Sequence, residues 1–194
     1  MAQLVVATGN PGKLAEMQTY LQGTGWDLIL KPKHLEIQEI GHTFLENACL
    51  KASQVACATG QWSIADDSGL AVEALGGAPG VFSARYAQTD HDRIDRLLRE
   101  LGSTPNRKAQ FVCVIAIAQP DGKVVAQAEG ICPGEILPSP VGTSGFGYDP
   151  IFYVPEQGLT FAQMTAEHKH LVSHRGRAFQ AILPSLLRLA SQAS

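Results

Sequence analysis

The chain has 194 residues, 45% hydrophobic and 17% charged, with a formal net charge of -3, enough for one substantial core, or one core and a second small lobe. That balance excludes broad electrostatic binding to DNA or RNA, so any polyanion must be small and locally held. The longest apolar run, Phe111 to Ala118, is too short to span a bilayer, and the cysteines Cys49, Cys57, Cys113 and Cys132 form no C-x-x-C pair. A soluble cytoplasmic protein is expected, with one domain over residues 1–194.

Leu4 to Ala7 reads as a buried strand. Thr8-Gly9-Asn10-Pro11-Gly12-Lys13 follows as an anion-binding turn that opens a helix from Pro11 to Gln22. Asn10 is a favoured N-cap, Pro11 suits the first helical position, Leu14, Met17 and Leu21 recur at helical spacing, and Gly23 stops the helix. Such a terminus leaves the amides of Gly12 and Lys13 without intrahelical partners, and the helix dipole adds to the charge of Lys13. The spacing is neither that of a P-loop nor that of the dinucleotide fingerprint, so the turn alone reads equally as a phosphate cradle or as a capped helix start with a solvated lysine.

Leu28 to Leu30 is a short extended segment. Glu36 and Glu39 then either add carboxylates to a site or are solvated, whereas Thr43-Phe44-Leu45-Glu46 is a capping box that starts a helix from Phe44 to Ala58, with Gly60 as its stop. Ser63 to Ala65 and Leu70 to Glu73 read as strands on either side of Asp66-Asp67-Ser68-Gly69. The two carboxylates are expected at the tip of a strand at a sheet edge, facing opposite ways, one towards a pocket and the other holding a turn. A carboxylate near a phosphate site can bind Mg²⁺ or deprotonate a water, although Asp-Ser-Gly is also a common turn.

In the helix from Asp92 to Leu101, Ile94, Leu97, Leu98 and Leu101 form the buried stripe and the polar face is expected to be solvated. Gln110 to Ala118 and Val124 to Glu129 are strands joined by a Pro120-Asp121-Gly122 turn, and Ile151 to Val154 is a further strand. Between them Pro138 to Pro150 is irregular and rich in glycine, proline and aromatics, either a functional loop or a connector. A last helix runs from about His174 to Ser191, with Pro184 expected to kink or interrupt it. Around its start lies the basic cluster His168-Lys169-His170 and His174-Arg175-Gly176-Arg177. Lys169 and Arg175 suit phosphate or a base carbonyl, or lie on a wet helix face; His170 and His174 stand at i, i+4 but lack the further ligands of a zinc site. No G-x-S-x-G accompanies Ser68 or Ser173, which argues against a serine nucleophile. The elements amount to an α/β protein, a mixed sheet flanked by helices.

Taken in order, Thr8 to Lys13, Thr43-Phe44-Leu45-Glu46-Asn47-Ala48 with Lys51-Ala52, Ala65-Asp66-Asp67-Ser68-Gly69-Leu70, Gly76-Gly77-Ala78-Pro79-Gly80 with Ser83-Ala84-Arg85-Tyr86, Gly145-Phe146-Gly147-Tyr148-Asp149-Pro150 and Ser173-His174-Arg175-Gly176 resemble the Ham1/RdgB family, the inosine and xanthosine triphosphate pyrophosphatases. The resemblance runs essentially the whole chain. It implies an elongated mixed α/β fold of two lobes with a central substrate cleft, a homodimer, and Mg²⁺-dependent cleavage of ITP, dITP or XTP to monophosphate and pyrophosphate. By motif, Thr8, Gly9, Asn10, Pro11, Gly12 and Lys13 would hold phosphates, with Lys13 also catalytic. Asp67 would be general base and metal ligand, and Ser68 would touch substrate. Phe146, Gly147, Tyr148, Asp149, Lys169, His174 and Arg175 would form the nucleoside pocket and its phosphate contacts. One departure stands out: where family members often carry Glu-Glu, this chain reads Gln38-Glu39, so either Glu39 takes the metal-site position or Asp67 acts with waters and phosphates alone. The rival readings are a nucleotide-sensing module without turnover and a hydrolase of other nucleotides, such as damaged pyrimidines.

Overall fold

The computed structural model describes residues 2–193. Seven strands form one sheet in the order β2-β1-β3-β4-β5-β6-β7: β1 Gln3–Val6, β2 Asp27–Leu30, β3 Trp62–Val72, β4 Lys108–Ala118, β5 Val124–Ile136, β6 Phe152–Val154 and β7 Leu159–Thr160. The helices are α1 Pro11–Leu21, α2 Phe44–Thr59, α3 Asp90–Leu101, α4 Ala166–Val172 and α5 His174–Ala193. β1 pairs in parallel with β2 and β3, whereas β6 pairs antiparallel with β5 and β7. The sheet is therefore mixed. No helix among the described residues is long and apolar enough to cross a membrane.

The chain divides into two compact units, one of Met1–Asp67, Cys113–Gly130 and Arg177–Ser194, the other of Ser68–Val112 and Ile131–Gly176. In the first, strand alternation sends side chains to two separate layers. Leu4, Val6, Ile64, Cys113, Ile115 and Ile117 pack with Met17 and Leu21 of α1 and with Ala178, Ile182 and Leu186 of α5. Val5, Ala7, Ala65, Val114, Ala116 and Ala118 pack with Ala48, Ala52, Val55 and Ala56 of α2. The small residues of that helix face let its backbone come close to the sheet. In the second unit Phe111, Phe152 and Phe161 form an aromatic core with Leu70, Val72, Ile94, Leu97 and Leu101.

Three expectations change. The two short strands around Asp66-Asp67-Ser68-Gly69 are one continuous strand, β3, third in the sheet. The carboxylates thus lie inside an interior strand, because each finds a lysine there and needs no turn. Pro184 lies within α5 without interrupting it. His170 ends up on α4 and His174 on α5, separated by Ser173, so the i, i+4 face does not exist. The capping box forms as read: Thr43 Oγ1 accepts from the Glu46 amide at 3.1 Å, and Glu46 Oε2 accepts from the Thr43 amide at 3.2 Å. Gly60 closes α2 at φ 65°.

Two substitutions test this packing against the local cap. Thr43→Ala removes one capping acceptor and should lower unfolding free energy by about 1 kcal/mol, while Ile115→Ala, at a fully buried position, should lower it by about 2–5 kcal/mol. Urea unfolding of both variants measures the ratio.

Candidate functional site

The turn after β1 is built around Asn10. Its Oδ1 accepts from the amides of Gly12 at 2.9 Å and Lys13 at 3.2 Å, and its own amide donates to Thr8 Oγ1 at 3.2 Å. The two amides expected to face a phosphate are therefore already capped, the ordinary consequence of an asparagine at the N-cap. The Lys13 ammonium lies 3.1 Å from Asp66. A surface cavity of about 320 Å³ lies beside the turn, lined by Thr8, Gly9, Asn10, Pro11, Leu14, Leu30, Lys31 and Lys33. Sequence reading passed over the two lysines of that cavity.

Asp66 and Asp67 are 1% and 6% exposed. Asp66 follows Ile64 on the face towards α1, where Lys13 meets it and the Cys113 thiol lies 3.9 Å from its Oδ2. Asp67 follows Ala65 on the face towards α2, where Lys51 Nζ donates to Oδ1 at 2.9 Å. Its Oδ2 is buried with no hydrogen-bond partner among the described residues. Lys51 Nζ also lies 3.1 Å from Glu39. Burial disfavours the lysine charge, but Asp67, Asp66 and Glu39 together outweigh it and raise the Lys51 pKa above the ordinary value. Three carboxylates, Asp66, Asp67 and Glu39, thus meet the two ammonium groups of Lys13 and Lys51. The role of Lys51 was legible in principle, since it stands among Ala48, Ala52 and Val55 on the buried stripe of α2.

Side chains of α2 hold the segment that carries Glu39. Gln54 clasps the Gln38 backbone in both directions, accepting from its amide and donating to its carbonyl, each at 3.1 Å. Asn47 Oδ1 accepts from the Gly41 amide at 2.8 Å, and Glu46 Oε2 accepts from the His42 amide at 2.7 Å. A Cβ on Gly41 would sit 2.7 Å from that Asn47 oxygen, so the close approach requires glycine. Gln38 is thereby tied by its backbone while the neighbouring Glu39 reaches Lys51. The carboxylate near Asp67 is Glu39.

In the second unit, Asp149 organises the loop before β6. Its Oδ2 accepts from the Phe146 amide at 2.9 Å and from Lys169 Nζ at 2.7 Å. The Lys169 ammonium stands 4.8 Å from the centre of the Phe146 ring and 5.4 Å from that of Phe161, within cation–π range. Gly145 has φ +79°, and a Cβ there would strike the Asp149 carboxylate. The Tyr148 hydroxyl donates to the Ser83 carbonyl at 3.0 Å, and burial raises its pKa; this side chain holds the fold. Arg175, 1% exposed, donates from Nη2 to Ser68 Oγ at 2.8 Å. The His174 ring stacks on Phe111 with centroids 4.6 Å apart and planes 12° from parallel.

The predicted residues therefore gather as Lys13 with Asp66, Asp67 with Lys51 and Glu39, Asp149 with Lys169 and Phe146, and Arg175 with Ser68. The polar face of α3 departs from expectation, because much of it is engaged. Arg96 donates to the Tyr86 carbonyl at 2.6 Å and lies 4.0 Å from that ring, the Tyr86 hydroxyl donates to Glu100, and Asp90 accepts from the Gly147 amide at 2.7 Å.

Known proteins resemble this chain over nearly its whole length. A protein of Nostoc sp. called dITP/XTP pyrophosphatase is 65% identical over 98% of this chain and 97% of its own length. One of Synechocystis sp. with the same name is 61% identical over 94% of each. The structure of a HAM1 protein from Coxiella burnetii superposes with a TM-score of 0.89 at 41% identity, covering 97% of this chain and all of that one. The Staphylococcus aureus Ham1 protein gives 0.86 at 41% identity, covering 95% of this chain and 97% of that one. With residues 4–185 matching the family model as well, the chain belongs to the Ham1 family.

Proposed function

We propose that this protein hydrolyses deaminated purine nucleoside triphosphates, ITP, dITP and XTP, to the monophosphate and pyrophosphate, clearing them from the nucleotide pool. The observation that carries the reading is the Asp67 carboxylate: buried, fixed through one oxygen by Lys51, with the other oxygen unpartnered and a second carboxylate on the same lysine. The names of the relatives, dITP/XTP pyrophosphatase, support the substrate class.

The donor set fits Mg²⁺. Two carboxylates and an orphaned buried oxygen suit an ion that takes one or two carboxylates and completes its shell with water and phosphate oxygens. Asp67 and Glu39 would hold Mg²⁺, which when bound would supply charge neutralisation at the triphosphate. Asp67 orients a water and takes its proton as the new bond forms at the α-phosphorus. The α–β bridging P–O bond breaks, and pyrophosphate leaves with the electron pair. Lys13 offsets the charge growing on the leaving group, and the side chains of Thr8 and Asn10 contact phosphate oxygens in place of the amides that Asn10 occupies.

Base choice follows from donors and acceptors. Arg175 and His174 present donors to an oxygen at the purine 6-position, whereas the 6-amino group of adenine would leave donor facing donor. Guanine shares the oxygen, so its rejection falls on its 2-amino group. Phe146 stacks on any purine. The homodimer implied by the family resemblance belongs to the same proposal, and sedimentation equilibrium tests it.

The deciding assay incubates the protein with Mg²⁺ and equal ITP, XTP, ATP and GTP, measuring pyrophosphate and orthophosphate separately. Pyrophosphate from ITP and XTP, with little from ATP or GTP, is expected; tight binding without release of either would replace the enzyme with a sensor. Asp67→Asn should lower kcat by about 10²–10⁴-fold with the fold retained by circular dichroism. Phe146→Ala should raise KM by about tenfold or more for every purine alike, as loss of one stacking contact does. The raised Lys51 pKa fixes a sign: its stabilising charge is fully present below the unfolded value, about 10.4, and is lost as pH rises through the folded one. Lys51→Met should therefore show a smaller fall in melting temperature between pH 9 and pH 11 than the parent chain.

A further inference from the structure

The loop that carries Phe146 is tied from outside by a residue that belongs to none of the motifs above. Asp90 opens α3. Its Oδ2 accepts from the Gly147 amide at 2.7 Å, its Oδ1 accepts from Arg93 at 2.5 Å, and Arg93 Nε donates onward to the Ala87 carbonyl at 3.1 Å. Within the loop, Asp149 accepts from the Phe146 amide. The amides on the two sides of the Phe146 Cα are thus each held by a carboxylate, one from the loop and one from α3. Residues 138–149 form no helix or strand, so these charge-assisted bonds, stronger than neutral ones, fix the backbone from which the ring projects. Gly147 sits at φ +62° with open space where a Cβ would be, so the amide and not a side chain is what Asp90 reads.

We propose that Asp90 is a positioning residue for nucleobase recognition, setting the direction of Phe146 through the Gly147 amide without touching the nucleotide. This rests on the reading of Phe146 as the base-stacking residue. Loop conformers that misdirect the ring lower the competent fraction and raise apparent KM in proportion. The reaction at Asp67 is left alone, so kcat is unchanged. The negative end that α3 needs at its N-terminus remains in Asp92.

Asp90→Ala, Asp90→Asn, Phe146→Ala and the Asp90→Ala/Phe146→Ala double variant test it, by steady-state kinetics with ITP and XTP, amide exchange of residues 144–149 in nucleotide-free protein, and melting temperature. Asp90→Ala should raise KM about tenfold for both nucleotides, with kcat within about twofold and faster exchange at Gly147. Asp90→Asn, which keeps an acceptor oxygen, should recover most of the KM. The double variant should have no higher KM than Phe146→Ala, since the two residues act through one ring. A raised KM in Phe146→Ala with an unchanged KM in Asp90→Ala overturns the proposal and leaves the base reading standing. Unchanged KM in both overturns the base reading and the proposal with it. A KM that rises with a fall in melting temperature and is not restored by Asp90→Asn also overturns it, because that is the signature of a merely structural residue.

Discussion

Adjacent residues of a strand point to opposite faces, and in β3 this puts two neighbouring carboxylates into two different layers of the first unit. Each needs its own cation. Lys13 comes from α1 on one side and Lys51 from α2 on the other. Because both charges are met, β3 runs through Asp66-Asp67 without leaving the sheet, and the residues that need a defined position obtain it from an interior strand. Buried ion pairs of this kind contribute little net stability, since desolvation offsets much of the attraction, yet removing one partner leaves a charge stranded. Their value here is to fix Asp67 in place.

Helix α2 does most of the positioning on its side of the sheet. Its alanines lie against the strands, and that approach places Lys51 within reach of Asp67. From the same helix Glu46, Asn47 and Gln54 hold the backbone of residues 38, 41, 42 and 43. The chain's Gln38 thus has a structural use: its peptide is clasped, and the next residue supplies the carboxylate. Asn47 Nδ2 is buried with no hydrogen-bond partner among the described residues.

Legibility in the sequence followed the range of the interactions. Asn10, Thr43, Glu46 and Gly60 act within a turn of the residues they cap, and the starts of α1 and α2 could be read directly. Asp-Asp-Ser-Gly has the local chemistry of a turn, and only partners distant in the chain, Lys13 and Lys51, make it a strand interior. The same holds for α3: its apolar stripe was readable, but Asp90 serves an amide 57 residues away, which no local pattern encodes. Helix α4 was missed because seven residues carry too little periodicity to register. The ordered motifs pointed to Asp67, Asp149, Lys169 and Arg175, yet not to the fact that Tyr148 has its hydroxyl directed to the Ser83 carbonyl.

The sharing of Lys51 between Asp67 and Glu39 bears on the order of assembly. A triphosphate approaching that cluster without a cation meets fixed negative charge, while a cation approaching alone finds two carboxylates already shared with Lys51. Each makes the other's arrival more favourable, and by thermodynamic reciprocity the gain is the same whichever comes first. On the proposed reaction, divalent ion and nucleotide would be coupled ligands, so dilution of one would weaken the hold on the other.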